Sequence, residues 1–149
     1  KKYLAKIIAK DSQGLQLISA CTTEAKVKVN EIKYLPKNKI FLFSMERFIL
    51  EMEKKDQKIN SICKFEFVDS VKSKNINQKD INLELKLIAI DLLKNNKNYD
   101  INLIFSNNAY ITLSTEIIEV TLEDQNSKEK IWLKFLNVII ITQINLLDF

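Results

Sequence analysis

From residue 62 onward the chain repeatedly alternates apolar and polar residues, in runs too short for helices and separated by asparagine-rich breaks. Over residues 62–74, Phe65, Phe67 and Val71 fall on one side; over 82–94, Leu83, Leu85, Leu87 and Ala89 do; over 100–106, Ile101, Leu103 and Phe105. Residues 109–114 place Ile111 and Leu113 together, and residues 118–123 do the same for Ile118, Val120 and Leu122. A period of two is the mark of a half-buried strand. The breaks at 75–80, 95–98 and 107–108 contain Asn, which tolerates the positive φ of tight turns. Strands this close in sequence pair antiparallel. A meander with one apolar face must then be covered or close on itself. The expected fold is therefore α+β and mainly β, an antiparallel meander or barrel, and the length of 149 residues fits one domain over 1–149.

The first third adds the helix. Residues 3–9 read as a strand. Asp11 and Ser12 offer N-cap side chains, and Leu15, Leu17, Ile18 and Cys21 supply an apolar face, which predicts a helix over 12–22. Gly14 is a mild cost there. Ala25, Val27 and Val29 then alternate with lysines, and after Asn30-Glu31 the apolar parity slips to Ile32 and Tyr34, as a turn or bulge requires. The only proline, Pro36, begins a turn over 36–38. Residues 40–43 are apolar on both faces, which predicts a strand covered on both sides. The very polar residues 51–60 read as a solvated loop.

Residues 125–149 form an atypical apolar tail. Asn126 with Glu129 resembles a capping box, and Ile131, Phe135, Val138 and Thr142 fall near one helical face, flanked by Trp132, Leu136 and Ile139. A C-terminal helix over the open end of a barrel accounts for that pattern. The β-branched run 138–141 keeps a final strand as the competitor. Lys134, Asn137, Gln143 and Asn145 interrupt the apolar run and disfavour membrane insertion.

Composition removes several functions. The chain has no His, which takes away the usual general base, the Ser-His-Asp triad and the commonest metal ligand. With Gly14 alone there is no phosphate-binding glycine loop. The carboxylate pairs Glu116 with Glu119 and Glu123 with Asp124 read as solvated charges. The net charge of +4 comes from a basic set that is all lysine except Arg47. Lysine, isoleucine and asparagine are the residues an AT-rich coding sequence favours, and arginine is the better ligand for phosphate and guanine, so nucleic-acid binding is disfavoured. Cys21 and Cys63 are isolated, form no metal knuckle, and read as small buried hydrophobes in a cytoplasmic protein. Residues 1–10 lack the apolar core and cleavage site of a secretion signal.

The run LISACTTEAKVKVNEIKYLPKNKIFLFSMERF carries a resemblance. Leu17-Ile18-Ser19-Ala20 at a helix end, the Val27–Glu31 strand and turn, Tyr34-Leu35-Pro36-Lys37, the strand ending Arg47-Phe48 and the later run IEVTLED together resemble the bacterial domain-of-unknown-function family 2948, over roughly residues 3–124. Glu46 stands where that family often carries Asn, and its Trp-Pro-rich basic ending is missing after Asp124. The resemblance implies a pleckstrin-homology-like barrel. That fold hosts many functions and supplies none by itself.

Three groups are binding candidates. Tyr34, Lys37 and Lys39 surround the turn at Pro36 and suit a headgroup-like phosphate, or are simply a solvated turn. Arg47 pairs with a carboxylate beside the strand anchor Phe48, or recognises a partner. Lys72 and Lys74, with Lys79 beyond, form a basic cluster or an edge that discourages strand pairing. The expectation is a non-enzymatic module without a cofactor that binds a protein or peptide. The alternative is an anionic ligand, a phospholipid headgroup or nucleic acid, held by the lysine-rich turns. An enzyme built on acids and lysines is the third reading. Self-association is left open.

Overall fold

The computed structural model describes residues 4–52 and 54–126. Among them lie one α-helix and ten strands in an antiparallel sheet. The elements are β1 (Lys6–Ala9), α1 (Ser12–Cys21), β2 (Lys26–Lys28), β3 (Ile32–Leu35), β4 (Ile40–Ile49), β5 (Lys54–Phe65), β6 (Val68–Lys74), β7 (Glu84–Asn95), β8 (Asn98–Phe105), β9 (Ala109–Thr115) and β10 (Val120–Asp124). The path across the sheet is β1-β10-β5-β4-β2-β7-β8-β9-β6, with β3 also on β4. This is no simple meander, because β10 inserts between β1 and β5, and β2 between β4 and β7. Nor is it a closed barrel: the path ends at β1 and β6, and these two are not paired.

The sheet nonetheless curls. A 3-10 turn at Val29–Glu31 separates β2 from β3, both of which lie along β4. At the other corner Phe67 takes φ 60° and the chain turns from β5 into β6. The Val68 amide then donates to the Lys39 carbonyl at 2.8 Å, and the Tyr34 hydroxyl donates to the Val68 carbonyl at 3.1 Å. The start of β6 thus leans on the β3–β4 turn without forming a ladder. Inside the curl, Phe41, Phe43 and Phe65 meet with ring centroids 5.9–6.2 Å apart. Ile101, Leu103, Ile111 and Leu113 join the same core from the other half.

Helix α1 is placed by its ends. The Asp11 side chain accepts from the Gly14 amide at 2.8 Å, so of the two N-cap candidates in the sequence, Asp11 and Ser12, Asp11 caps the helix. Gly14 has a positive reason beyond helix cost: a Cβ there would lie 2.9 Å from Ala9 Cα, so the helix packs directly on β1. The Ser19 hydroxyl accepts from the Ile90 amide at 2.9 Å and fastens the same helix to β7.

Three local expectations are corrected. Most of the polar stretch 51–60 is strand: its backbone pairs with β4, Phe48 opposite Lys58 and Glu46 opposite Asn60. Ladder bonds need no apolar side chains, and Asp56, Gln57 and Lys58 stay exposed. The expected strand 62–74 is two strands, and the turn at Phe67 throws that ring outward while Phe65, Val68 and Val71 remain buried. In β7 a bulge between Leu87 and Ala89 shifts the inward parity, so Ile90 rather than Ala89 is buried. The asparagine turns form as read, with Asn75, Asn96, Asn107 and Asn108 at φ near 60°. The proposed C-terminal helix lies outside the described residues.

Candidate functional site

The only arginine is wholly interior. Arg47 sits near the end of β4, with no exposed side-chain surface, against the end of β10, the middle of β5 and the C-terminus of α1. Its Nε donates to Ser61 Oγ and to Asp124 Oδ1, each at 3.1 Å. Nη2 donates to Asp124 Oδ2 at 3.0 Å and to Glu51 Oε2 at 2.7 Å. Nη1 donates to Glu51 Oε1 at 2.9 Å and to the carbonyls of Cys21 and Phe48 at 3.3 and 3.2 Å. Asp124 is itself filled: Ser61 Oγ donates to Oδ1 at 2.6 Å and the Ala5 amide to Oδ2 at 2.8 Å. The sequence suggests a solvated strand-end acid at Asp124; the structure buries it as the arginine's counter-ion.

Burial works against the charge on Arg47, but its hydrogen bonds to the Glu51 and Asp124 carboxylates outweigh it and hold the guanidinium above its ordinary pKa. Burial, with the Glu51 charge second, pushes the Cys21 thiol up, and burial alone pushes Cys63 up strongly. Both thiols therefore keep their protons at neutral pH, and a thiol is a poor nucleophile compared with its thiolate. A permanently charged arginine cannot accept a proton. The cluster is chemically a clamp that ties α1, β4, β5 and β10.

A surface site lies on the opposite face of those same strands. Because β-strand side chains alternate, Ile8 on β1, Thr121 on β10, Lys64 and Ile62 on β5, and Leu42 on β4 all face away from the core. The registers set Ile8 opposite Thr121, Thr121 opposite Lys64 and Lys64 opposite Leu42. With Lys6, Lys10, Glu66, Glu119, Glu123 and Gln125 they line an open groove of about 380 Å³. Its volume falls in the range of ligand sites. Leu42 belongs to a small apolar cluster with Leu35, Ile40 and Ile62 that is separate from the main core. Leu35 and Leu42 are buried here, so the doubly apolar run 40–43 buries side chains on both faces of β4.

A family model described as "Protein of unknown function (DUF2948)" matches residues 5–132. The chain belongs to that family. The match takes in every strand of the sheet, the Arg47 clamp and the groove. No curated protein and no solved structure matches the chain. Among the described residues no helix is long and apolar enough to cross a membrane, and no cluster of three or more His, Cys, Asp or Glu side chains is arranged to hold a metal ion.

The residues singled out from sequence do not converge. Tyr34 is buried and spends its hydroxyl on Val68. Lys39 takes φ 56° and pairs with Asp69 at 2.9 Å, an ion pair that draws its ammonium pKa upward, while Lys37 is exposed at the same turn. Lys72 and Lys74 are exposed on β6, opposite Thr112 and Tyr110, and β6 is an end strand. Arg47 is inside. The groove residues share no local pattern in the sequence, because they come from four strands and their ends, each strand contributing one or two outward side chains. The visible signal was an apolar outward residue, Ile8, between two lysines.

Proposed function

We infer that the protein is a non-enzymatic, pleckstrin-homology-like interaction module that binds a protein or peptide along the β1–β10–β5–β4 groove. The observation that carries this reading is an apolar floor of Ile8, Leu42 and Ile62 next to a terminal strand, β1. An extended segment can add to such an edge through backbone hydrogen bonds and place alternate side chains on the floor. The curled antiparallel sheet and the family resemblance support the pleckstrin-homology-like assignment, and two free buried cysteines fit a cytoplasmic setting. The groove's wall carries both signs of charge, with Lys6 opposite Glu123, which suits a peptide of mixed polarity better than a polyanion. Lys39 is already engaged by Asp69, which weakens the lysine turn as a phosphate site.

The test is a peptide-display selection against the full chain, followed by binding measurements on Ile8→Glu. Selected peptides are expected to lose at least about tenfold in affinity, the effect of roughly 1.4 kcal/mol at a buried contact. Peptides that bind Ile8→Glu as well as the parent would remove the groove from the reading. Binding to anionic vesicles that collapses with added salt would instead favour the lysine turns.

A further inference from the structure

We propose that the groove's partner is an extended segment of another protein that carries acid, apolar and acid side chains at alternate positions and adds as a strand to the free edge of β1. This rests on the groove being a peptide site. The backbone defines the edge. The Asp124 amide donates to the Ala5 carbonyl at 2.9 Å, which turns the backbone groups of Ala5 toward β10. Direction alternates along an antiparallel strand, so Ile7 and Ala9 also bond toward β10, while the N–H and C=O groups of Lys6 and Ile8 point the other way. β1 ends the sheet, and among the described residues no strand meets those groups.

The side chains set the pattern. Lys6, Ile8 and Lys10 are exposed and alternate along the groove face of this edge. An added strand sets side chains of its own directly opposite these, where opposite charges and apolar pairs are favoured and like charges are not. The groove as a whole is balanced, with three lysines and three glutamates, but the charges lie in rows. On β5, Lys64 and Glu66 offset each other at 3.8 Å. Glu119 and Glu123 fall in the β10 row, and Lys6 and Lys10 in the β1 row at the edge. A strand added there lies roughly 4.8 Å from β1 and about twice that from β10, so the lysines are the charges it meets first. Acids opposite Lys6 and Lys10, with an apolar residue opposite Ile8, extend the alternation of sign by one row. A second copy of the chain does not fit. Its β1 brings Lys6, Ile8 and Lys10 to that row and no acid. Its other end strand, β6, brings Lys72 and Lys74, and the single acid of β6, Asp69, is engaged by Lys39 at 2.9 Å. Lysines at both ends of the sheet thus oppose self-pairing and leave the β1 edge to an acidic strand.

NMR titration of the full chain tests the pattern. The probe is a threonine-rich peptide with a central valine and a glutamate two positions to either side; its twins carry glutamine or lysine in place of both glutamates. The glutamate peptide is expected to bind roughly three- to tenfold tighter than the glutamine twin, the effect of two exposed ion pairs, and the margin should shrink with added salt. Lys6→Gln with Lys10→Gln should erase the margin. Lys6→Glu with Lys10→Glu should transfer the preference to the lysine twin, with circular dichroism unchanged in both variants. N-methylation of alternate peptide amides should abolish binding in one phase and spare it in the other, because only every second N–H faces β1. Equal binding of all the peptides, a margin that survives both pairs of lysine substitutions, or indifference to the phase of methylation overturns the proposal. So does neutralisation of the two lysines that releases anionic vesicles and leaves peptide binding unchanged. If display-selected peptides lack the acid pattern yet lose affinity on Ile8→Glu, the acid pattern falls and the groove reading survives. If no peptide of any pattern binds, both fall.

Discussion

Arg47 shows how one residue can be visible in sequence and opaque in meaning. Its rarity was plain, and a carboxylate partner was a natural expectation, but the partners come from 4 to 77 positions away. Removing one side of a wholly buried, hydrogen-bonded pair leaves an uncompensated charge and costs about 3–5 kcal/mol. Arg47→Met and Asp124→Leu are each expected to lower stability by that order in urea titration, and the double variant by less than their sum. Near-neutral single variants would show that the clamp does not hold the four elements. Gly14 makes the complementary case. Ala normally stabilises a helix by up to about 1 kcal/mol over Gly. Here the added methyl meets Ala9 backbone at 2.9 Å, so Gly14→Ala is expected to destabilise by about 1–3 kcal/mol instead. The asparagine turns were readable because Asn is the common non-glycine residue at positive φ. Phe67 and Lys39 share that conformation with no such signature, and only the folded chain forces them into it.

At the level of elements, periodicity found the strands that have one wet and one dry face and failed where pairing alone decides. β8 and β9 were read almost to the residue because Ile101, Leu103, Phe105, Ile111 and Leu113 all turn inward. The first half of β5 has no such pattern: β4 alone pairs with it there among the described residues, and Asp56, Gln57 and Lys58 are exposed. Its order is backbone hydrogen bonding. Native-state hydrogen exchange should therefore protect amides within residues 57–60 well above those of the turn at 77–80, despite similar polarity. Equal, fast exchange in both would return that stretch to the loop that its composition suggests. The bulge in β7 is another feature composition hides, because both Ala89 and Ile90 are apolar and only the register selects between them.

For the whole molecule, buried titrating groups give stability a pH dependence. Burial raises the folded-state pKa of Cys63 strongly, and it raises those of Cys21 and Tyr34 as well. The unfolded thiols release protons near pH 8.5 while the folded ones do not. The stabilisation is thus complete below that pH and declines as pH rises through it. Lys33, whose pKa burial lowers, opposes this slope between its folded value and the unfolded value near 10.4. The urea midpoint should fall from pH 8 to pH 10, and Cys63→Ala should flatten the fall. An unchanged slope in that variant would mean Cys63 is reached by water. What the sequence determined by itself was local: which alternating segments are strands, where the asparagine turns lie, that one strand is apolar on both faces, and which family the chain resembles. The tertiary structure decided what depends on residues remote in the chain. It left the sheet open between β1 and β6, it inserted β10 beside β1, and it thereby made both the Arg47 clamp on one face and the groove on the other. Alternation records that a side chain faces inward or outward; it carries no record of which strand lies next door, and both sites are made of neighbours.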